Sequence, residues 1–146
     1  MITVEKTVLI HHSAQQMFDL VDRCEDYPQF LPWCGETECR HRDEHKTIGT
    51  LHIRYHGVRA HFTTENEKEI PHWMKIRLVE GPFRKLEGMW RFITLSDDAC
   101  KIDFRLSYDF SNRLLGKVIG PAFGVIANSF VDAFVKRADV IYGARS

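Results

Sequence analysis

The chain of 146 residues is 44% hydrophobic and 27% charged, the balance of a globular domain rather than a disordered segment. Its 20 Lys and Arg are cancelled by 20 Asp and Glu, which removes the cation surplus on which a general nucleic-acid binder relies. The length favours one domain over residues 1–146, able to fold without disulfide or metal staples, and the 10 Phe, 3 Trp and 4 Tyr exceed what a compact core requires.

The opening "MITVEKTVLIHH" lacks the basic segment, long apolar core and small-residue cleavage site of a signal peptide. Cys24, Cys34, Cys39 and Cys100 form no C-x-x-C pair. Reduced thiols and a cytoplasmic location are therefore expected. Residues 2–10, rich in β-branched side chains, read as a first strand. Ser13 then precedes a helical stripe of Met17, Phe18, Leu20 and Val21, and Gln16 three residues on completes a capping box. Asp22, Glu25 and Asp26 read as the solvated end of this helix. "DYPQFLPWC", residues 26–34, packs two prolines and three rings into a stiff connection, expected as a short second helix ending near Pro32. Such rings either plug a core or guard the entrance to a cavity.

From residue 36 to 110 the hydrophobic period is two. Leu51, Ile53 and Tyr55 alternate with His52, Arg54 and His56, and Met74, Ile76 and Leu78 with Lys75 and Arg77. Leu86, Trp90 and Phe92 share one face of the next segment. Ile102, Phe104, Leu106, Tyr108 and Phe110 form the clearest stripe. This is the pattern of antiparallel strands with one buried face, about six of them. After Phe110 the period becomes helical, with Ser111 or Asn112 as the cap and Leu115, Ile119, Phe123, Ile126, Phe130, Phe134 and Ile141 on one side. The expected fold is α+β: a curved antiparallel sheet of six or seven strands around one long C-terminal helix, with bends or bulges at Gly49, Gly57 and Gly88. One helix covering so large a sheet leaves space between them.

Gly116, Gly120 and Gly124 lie in an apolar stretch, but its longest uncharged run, residues 118–131, is 14 residues long. That is short of the roughly 20 needed to cross a bilayer. The glycines are read as points of close approach to the sheet, and Gly120-Pro121 as a kink or, alternatively, a hinge for a lid. His41/His45 and His52/His56 have chelating spacing only on a helix, and strand spacing makes them solvated histidines rather than metal ligands. No G-x-S-x-G elbow, H-E-x-x-H helix or Walker loop is present. No residue stands out as catalytic, and what remains is an apolar interior suited to an apolar ligand.

"DYPQFLPWC", "FTTEN" (62–66), "GPFRKLEGMWRF" (81–92), "FRLSYDFSNRLL" (104–115) and "AFVKRADVIYG" (133–143) resemble, in order and spacing, the coenzyme-Q-binding START-like family of the polyketide cyclase superfamily. That family includes ribosome association toxins and mitochondrial quinone-binding chaperones. The resemblance implies a helix-grip fold, no required cofactor, and a hydrophobic tunnel that binds ubiquinone or a similar polyprenyl lipid without catalysis, in support of respiration. A cytoplasmic protein with transient contact at the inner membrane surface follows. Within that reading, Trp90, Phe104 and Tyr108 form a slot for the quinone head, the Tyr108 hydroxyl being its donor. Phe62, Leu78, Phe123, Ile126 and Phe130 line a groove for the tail. Phe30, Leu31, Trp33 and Phe83 form the mouth. The alternative, blocking association of ribosomal subunits, points to Arg40, Arg42 and Lys46 with Arg54 and Arg59. A cyclase using the same cavity is the third reading.

Overall fold

The computed structural model describes residues 1–143, and the last three residues of the expected 1–146 domain lie outside the described residues. Strand β1 (Ile2–Ile10) is followed by helix α1 (Ala14–Asp22) and a 3-10 segment, Cys24–Gln29. Six strands come next: β2 (Cys34–Arg42), β3 (Lys46–Tyr55), β4 (Val58–Glu69), β5 (Trp73–Glu80), β6 (Phe83–Ser96) and β7 (Ala99–Phe110). Helix α2 (Arg113–Tyr142) closes the chain. All seven strands form one antiparallel sheet in the order β1-β7-β6-β5-β4-β3-β2. Strands β2 to β7 are a simple meander, while α1 and the 3-10 segment carry the chain from one sheet edge to the other. The apolar stripe of β7 is buried at Ile102, Phe104, Leu106 and Tyr108, as its period of two requires.

The Ser13 hydroxyl accepts from the Gln16 amide at 3.1 Å and the Gln16 side chain accepts from the Ser13 amide at 2.9 Å, so the capping box is formed. Met17, Phe18 and Val21 are buried beneath it. The 3-10 segment stops at Gln29, short of Pro32. Asn112 caps α2 by accepting from the Leu115 amide at 2.9 Å. Helix α2 runs for 30 residues, about 45 Å, without interruption at Pro121. Among the described residues it is the one helix long and apolar enough to cross a membrane by length and composition, but its inner face is the covering layer of the sheet.

Three expectations change. Ile141 is 49% exposed, because the last turns of α2 present Ala138 and the Tyr142 ring inward instead. The irregularities of strand pairing lie at Cys34/Glu36, Cys39/His41, Thr63/Thr64, Phe83/Lys85 and Thr94/Ser96; the second faces Gly49 across the β2–β3 pair, and none falls at Gly57 or Gly88. Gly49 also admits the Cys24 thiol, which would lie 3.0 Å from a Cβ at that position. Gly57 has φ +81° in the turn joining β3 to β4, a conformation glycine adopts without steric cost.

The third change concerns Asp22, which is not solvated. Its carboxylate lies 3.0 Å from the Lys68 ammonium, and the two side chains are 13% and 1% exposed. The same carboxylate accepts from the Thr47 hydroxyl at 2.7 Å. Arg42 donates to the Asp22 carbonyl at 2.9 Å and grips Glu25 through both terminal nitrogens at 2.8 and 2.6 Å. That grip holds the Glu25 carboxyl below its ordinary range. The end of α1 is thus bolted to β2, β3 and β4. Removing one partner of a buried pair leaves the other charge uncompensated. Asp22→Asn is expected to cost about 3–5 kcal/mol in urea unfolding. The double change Asp22→Leu with Lys68→Met is expected to recover most of that loss.

Candidate ligand-binding cavity

Between the sheet and α2 lies a cavity with about 730 Å³ of atom-free space, part of it continuous with solvent. Phe123, Ile126, Ala127 and Phe130 of α2 form its roof, and Val21, Cys24 and Tyr27 close it from the α1 side. The floor is built from inward residues of β3 to β7. Trp90 and Phe104 meet there with ring centroids 4.5 Å apart, and Phe130 rests over both at 5.8 and 5.9 Å. Phe62 meets Phe123 edge-on at 6.0 Å.

Seven of the residues singled out from the sequence wall this space: Trp33, Phe62, Trp90, Phe104, Phe123, Ile126 and Phe130. Leu78, Phe83 and Tyr108 do not. Phe83 stacks on Phe110 at 5.1 Å and lies 4.9 Å from Phe123, while Tyr108 lies 4.7 Å from Phe123, so they pack a solid aromatic cluster at the end of β7. Burial there pushes the Tyr108 hydroxyl's pKa up. Phe30 and Leu31 border a second hollow, with about 1070 Å³ of atom-free space opening to solvent between the 30–33 segment, Tyr55 and the outer side of α2. Trp33 and Ile126 line both spaces.

One end of the cavity is polar. Thr47, Thr64 and Asn66 reach its wall there. The Asn66 side-chain oxygen is sealed from solvent and has no hydrogen-bond partner. The sequence reading missed these three residues. Their signal was present in β4, where Phe62, Thr64, Asn66 and Lys68 alternate inward as one face that passes from apolar to polar.

Nucleophilic chemistry finds little support in the thiols. Burial pushes Cys24 and Cys34 up to about 12 and Cys100 up to about 11, leaving all three protonated near neutrality. Among the described residues no cluster of three His, Cys, Asp or Glu side chains is placed to hold a metal ion. His52 is half-buried rather than solvated, stacked on His61 across the outer sheet face at 5.4 Å. The basic stretch is largely engaged. Arg42 belongs to the α1 bolt, Arg40 lies 3.7 Å from Glu80 and 3.9 Å from Glu38, and Lys46 lies 3.8 Å from Glu65.

A curved antiparallel sheet gripping one long helix around an apolar cavity defines a START-type helix-grip protein. The chain belongs to the polyketide cyclase / dehydrase and lipid transport family, whose sequence pattern it matches over residues 10–135. It is 36% identical over 142 residues to the ribosome association toxin RatA of Escherichia coli K12, covering 97% of this chain and 90% of that protein. It is also 27% identical over 146 residues to the mitochondrial coenzyme Q-binding protein COQ10 homolog B of Xenopus laevis, covering 97% of this chain and 60% of that protein. A START superfamily protein from Mycobacterium smegmatis shares the fold, with a TM-score of 0.78 at 20% identity over 95% of this chain and 98% of the other.

Proposed function

We propose that this protein binds ubiquinone or a similar polyprenyl lipid in the cavity and carries it without catalysing a reaction, in support of respiration. The observation that carries this reading is the apolar cavity that shares Trp33 and Ile126 as walls with a second, solvent-open hollow. A polyprenyl tail is longer than the inner cavity, so a bound lipid has to pass Trp33 and Ile126. The tail then runs from the inner cavity into the hollow bordered by Leu31, Tyr55 and Val125. The stiff aromatic segment is therefore a gate, and Trp33 is its moving part. Catalysis of the cyclase kind needs a group that exchanges protons near neutrality. The cavity's polar wall offers hydroxyls and an amide, and its Cys24 thiol is held protonated.

Lipid exchange needs a donor membrane, and α2 carries a surface suited to one. Leu114, Val118 and Val125 are exposed on its outer side at 69%, 56% and 53%. Arg113 and Lys117 flank them, and no acidic residue occurs between residues 113 and 131. An apolar strip with cations beside it fits the surface of an anionic bilayer. The same helix roofs the cavity with its opposite face, so contact there places the cavity one helix away from the lipid.

Ribosome association is a second reading, supported by the resemblance to the E. coli relative of that name. Arg42 is structural, which leaves Arg40, Lys46, Arg54 and Arg59 as the accessible cations of that region.

Mass spectrometry of solvent extracts from gently purified protein is expected to show a stoichiometric polyprenyl quinone, and Phe104→Ala, checked for folding by near-UV circular dichroism, to lose it. An extract that stays empty after incubation with quinone-loaded vesicles counts against the lipid role. Val118→Glu with Val125→Glu is expected to abolish flotation with phosphatidylglycerol-containing vesicles while leaving the thermal midpoint unchanged, since both side chains are exposed. Cosedimentation with large ribosomal subunits, if phosphate-driven, is expected to fall steeply with salt and with charge reversal at Arg40, Arg54 and Arg59, whereas quinone binding is expected to survive both.

A further inference from the structure

The polar end of the cavity has a chemical preference that the aromatic walls do not. Thr47 and Asn66 sit directly opposite one another in the β3–β4 register, so their side chains project side by side from the same sheet face. The single hydroxyl proton of Thr47 is committed to the Asp22 carboxylate at 2.7 Å, and Asp22 is itself fixed by Lys68 at 3.0 Å. Towards the cavity, the Thr47 oxygen therefore has only lone pairs to give. The buried, unpartnered atom of Asn66 is likewise its carboxamide oxygen, an acceptor. Thr47 gives this end of the cavity a fixed acceptor, and Asn66 turns its carboxamide oxygen to it, so a ligand that brings a hydrogen-bond donor satisfies both. An acceptor-only head leaves both unpaired, and an unpaired buried polar group is costly.

Building on the lipid-binding reading above, we propose that the Thr47–Asn66 pair is the head-group site and that it selects lipids whose head carries a hydroxyl donor. Among quinone lipids this is the reduced, dihydroxy form rather than the oxidised form, whose carbonyl and methoxy oxygens only accept. The head lies against β3 and β4 beside Thr64, and the tail leads away over Trp90 and Phe104 towards Trp33 and Ile126. Tyr108, packed among Phe83 and Phe123, takes no part. A carrier with this preference collects the reduced lipid and lets the oxidised one go.

The test is calorimetric titration of the wild-type protein under argon with decylubiquinol and, separately, with decylubiquinone. The expected result is binding of both, with the reduced form about tenfold tighter, the scale of one buried hydrogen bond made or left unmade. Asn66→Leu, which removes one of the two acceptors, is expected to shrink the difference severalfold, weakening the reduced form and tightening the oxidised one, and Asn66→Ala, which adds no bulk, reads the same effect should the leucine variant fold poorly. Equal affinities in the wild type, tighter binding of the oxidised form, or a preference that stays undiminished in both variants overturns the head-group assignment and leaves the lipid-binding function standing. Binding of neither form overturns both.

Discussion

A single helix has to cover the concave face of seven strands, and the rest of the molecule follows from that geometrical mismatch. The sheet curves to reduce the area to be covered, α1 and the 3-10 segment take one end, and large rings fill much of what remains. Phe130 is a node of this filling, with Trp33, Trp90, Phe104 and Phe134 all within about 6 Å of its centroid. Phe123 and Phe130 stand two helical turns apart on the same face of α2. Between them lie Ile126 and the short Ala127, and it is under this pair that the roof lifts away from the floor. The cavity is thus the residue of a packing problem that rings alone do not solve. Protein interiors close voids where they can, so a persistent one at this position is a property of the sequence rather than an accident of loose packing.

The polar end obeys a different constraint. A charge pair buried between α1 and β4 is a poor source of stability compared with an apolar replacement of the same volume. Its presence is better explained by what it orients. Lys68 fixes Asp22, Asp22 claims the proton of Thr47, and Thr47 faces the cavity as an acceptor beside Asn66. A relay of three side chains from three separate elements sets the hydrogen-bonding polarity of one cavity wall. The same Asp22 holds the end of α1 to the sheet, so the architecture of the site and the stability of the fold share a residue.

The sheet and its covering helix were legible because each is written in a local period. Ile102 to Phe110 alternate cleanly, and Leu115 to Phe134 recur at helical spacing, so element type and inner face follow from sequence alone. The relay was not legible. Asp22 and Lys68 are 46 residues apart, and each sits in a run of polar residues that reads as a solvated terminus. Asn66 was hidden for a related reason, since a polar residue on an inward face breaks the alternation that identifies the face. Tyr108 failed in the opposite sense. It shares a face with Phe104, but a strongly curved sheet carries residues four apart into different environments, one against the cavity and the other into a filled corner.

Where the cavity opens is a matter of which contacts are cheapest to break. The polar ties between α2 and the rest of the molecule lie towards its C-terminal end: Asp132 to Lys6, Arg137 to Gln29, Asp139 to the buried His12, and Tyr142 to the Gln16 carbonyl. Nearer its start, Gly116 and Gly120 face the Phe110 ring, where an added methyl group would just reach it, and Phe123 meets Phe83 and Tyr108 through ring edges. Contacts of that kind are non-directional and can slide without leaving a buried polar group unpaired, whereas parting the C-terminal ties exposes His12 and strands its partners. The contacts cheapest to part are therefore those of the N-terminal half of α2, whereas the hollow beside Trp33 and Ile126 runs along residues 125–140, where the ties of Asp132 and Arg137 lie. The N-terminal half of the helix is also the one with an exposed apolar outer face. The segment least tied down and the exposed strip of Leu114, Val118 and Val125 share the helix whose opposite face roofs the cavity, so on the lipid-carrier reading proposed above contact with a membrane on one side would bias the position of the roof on the other.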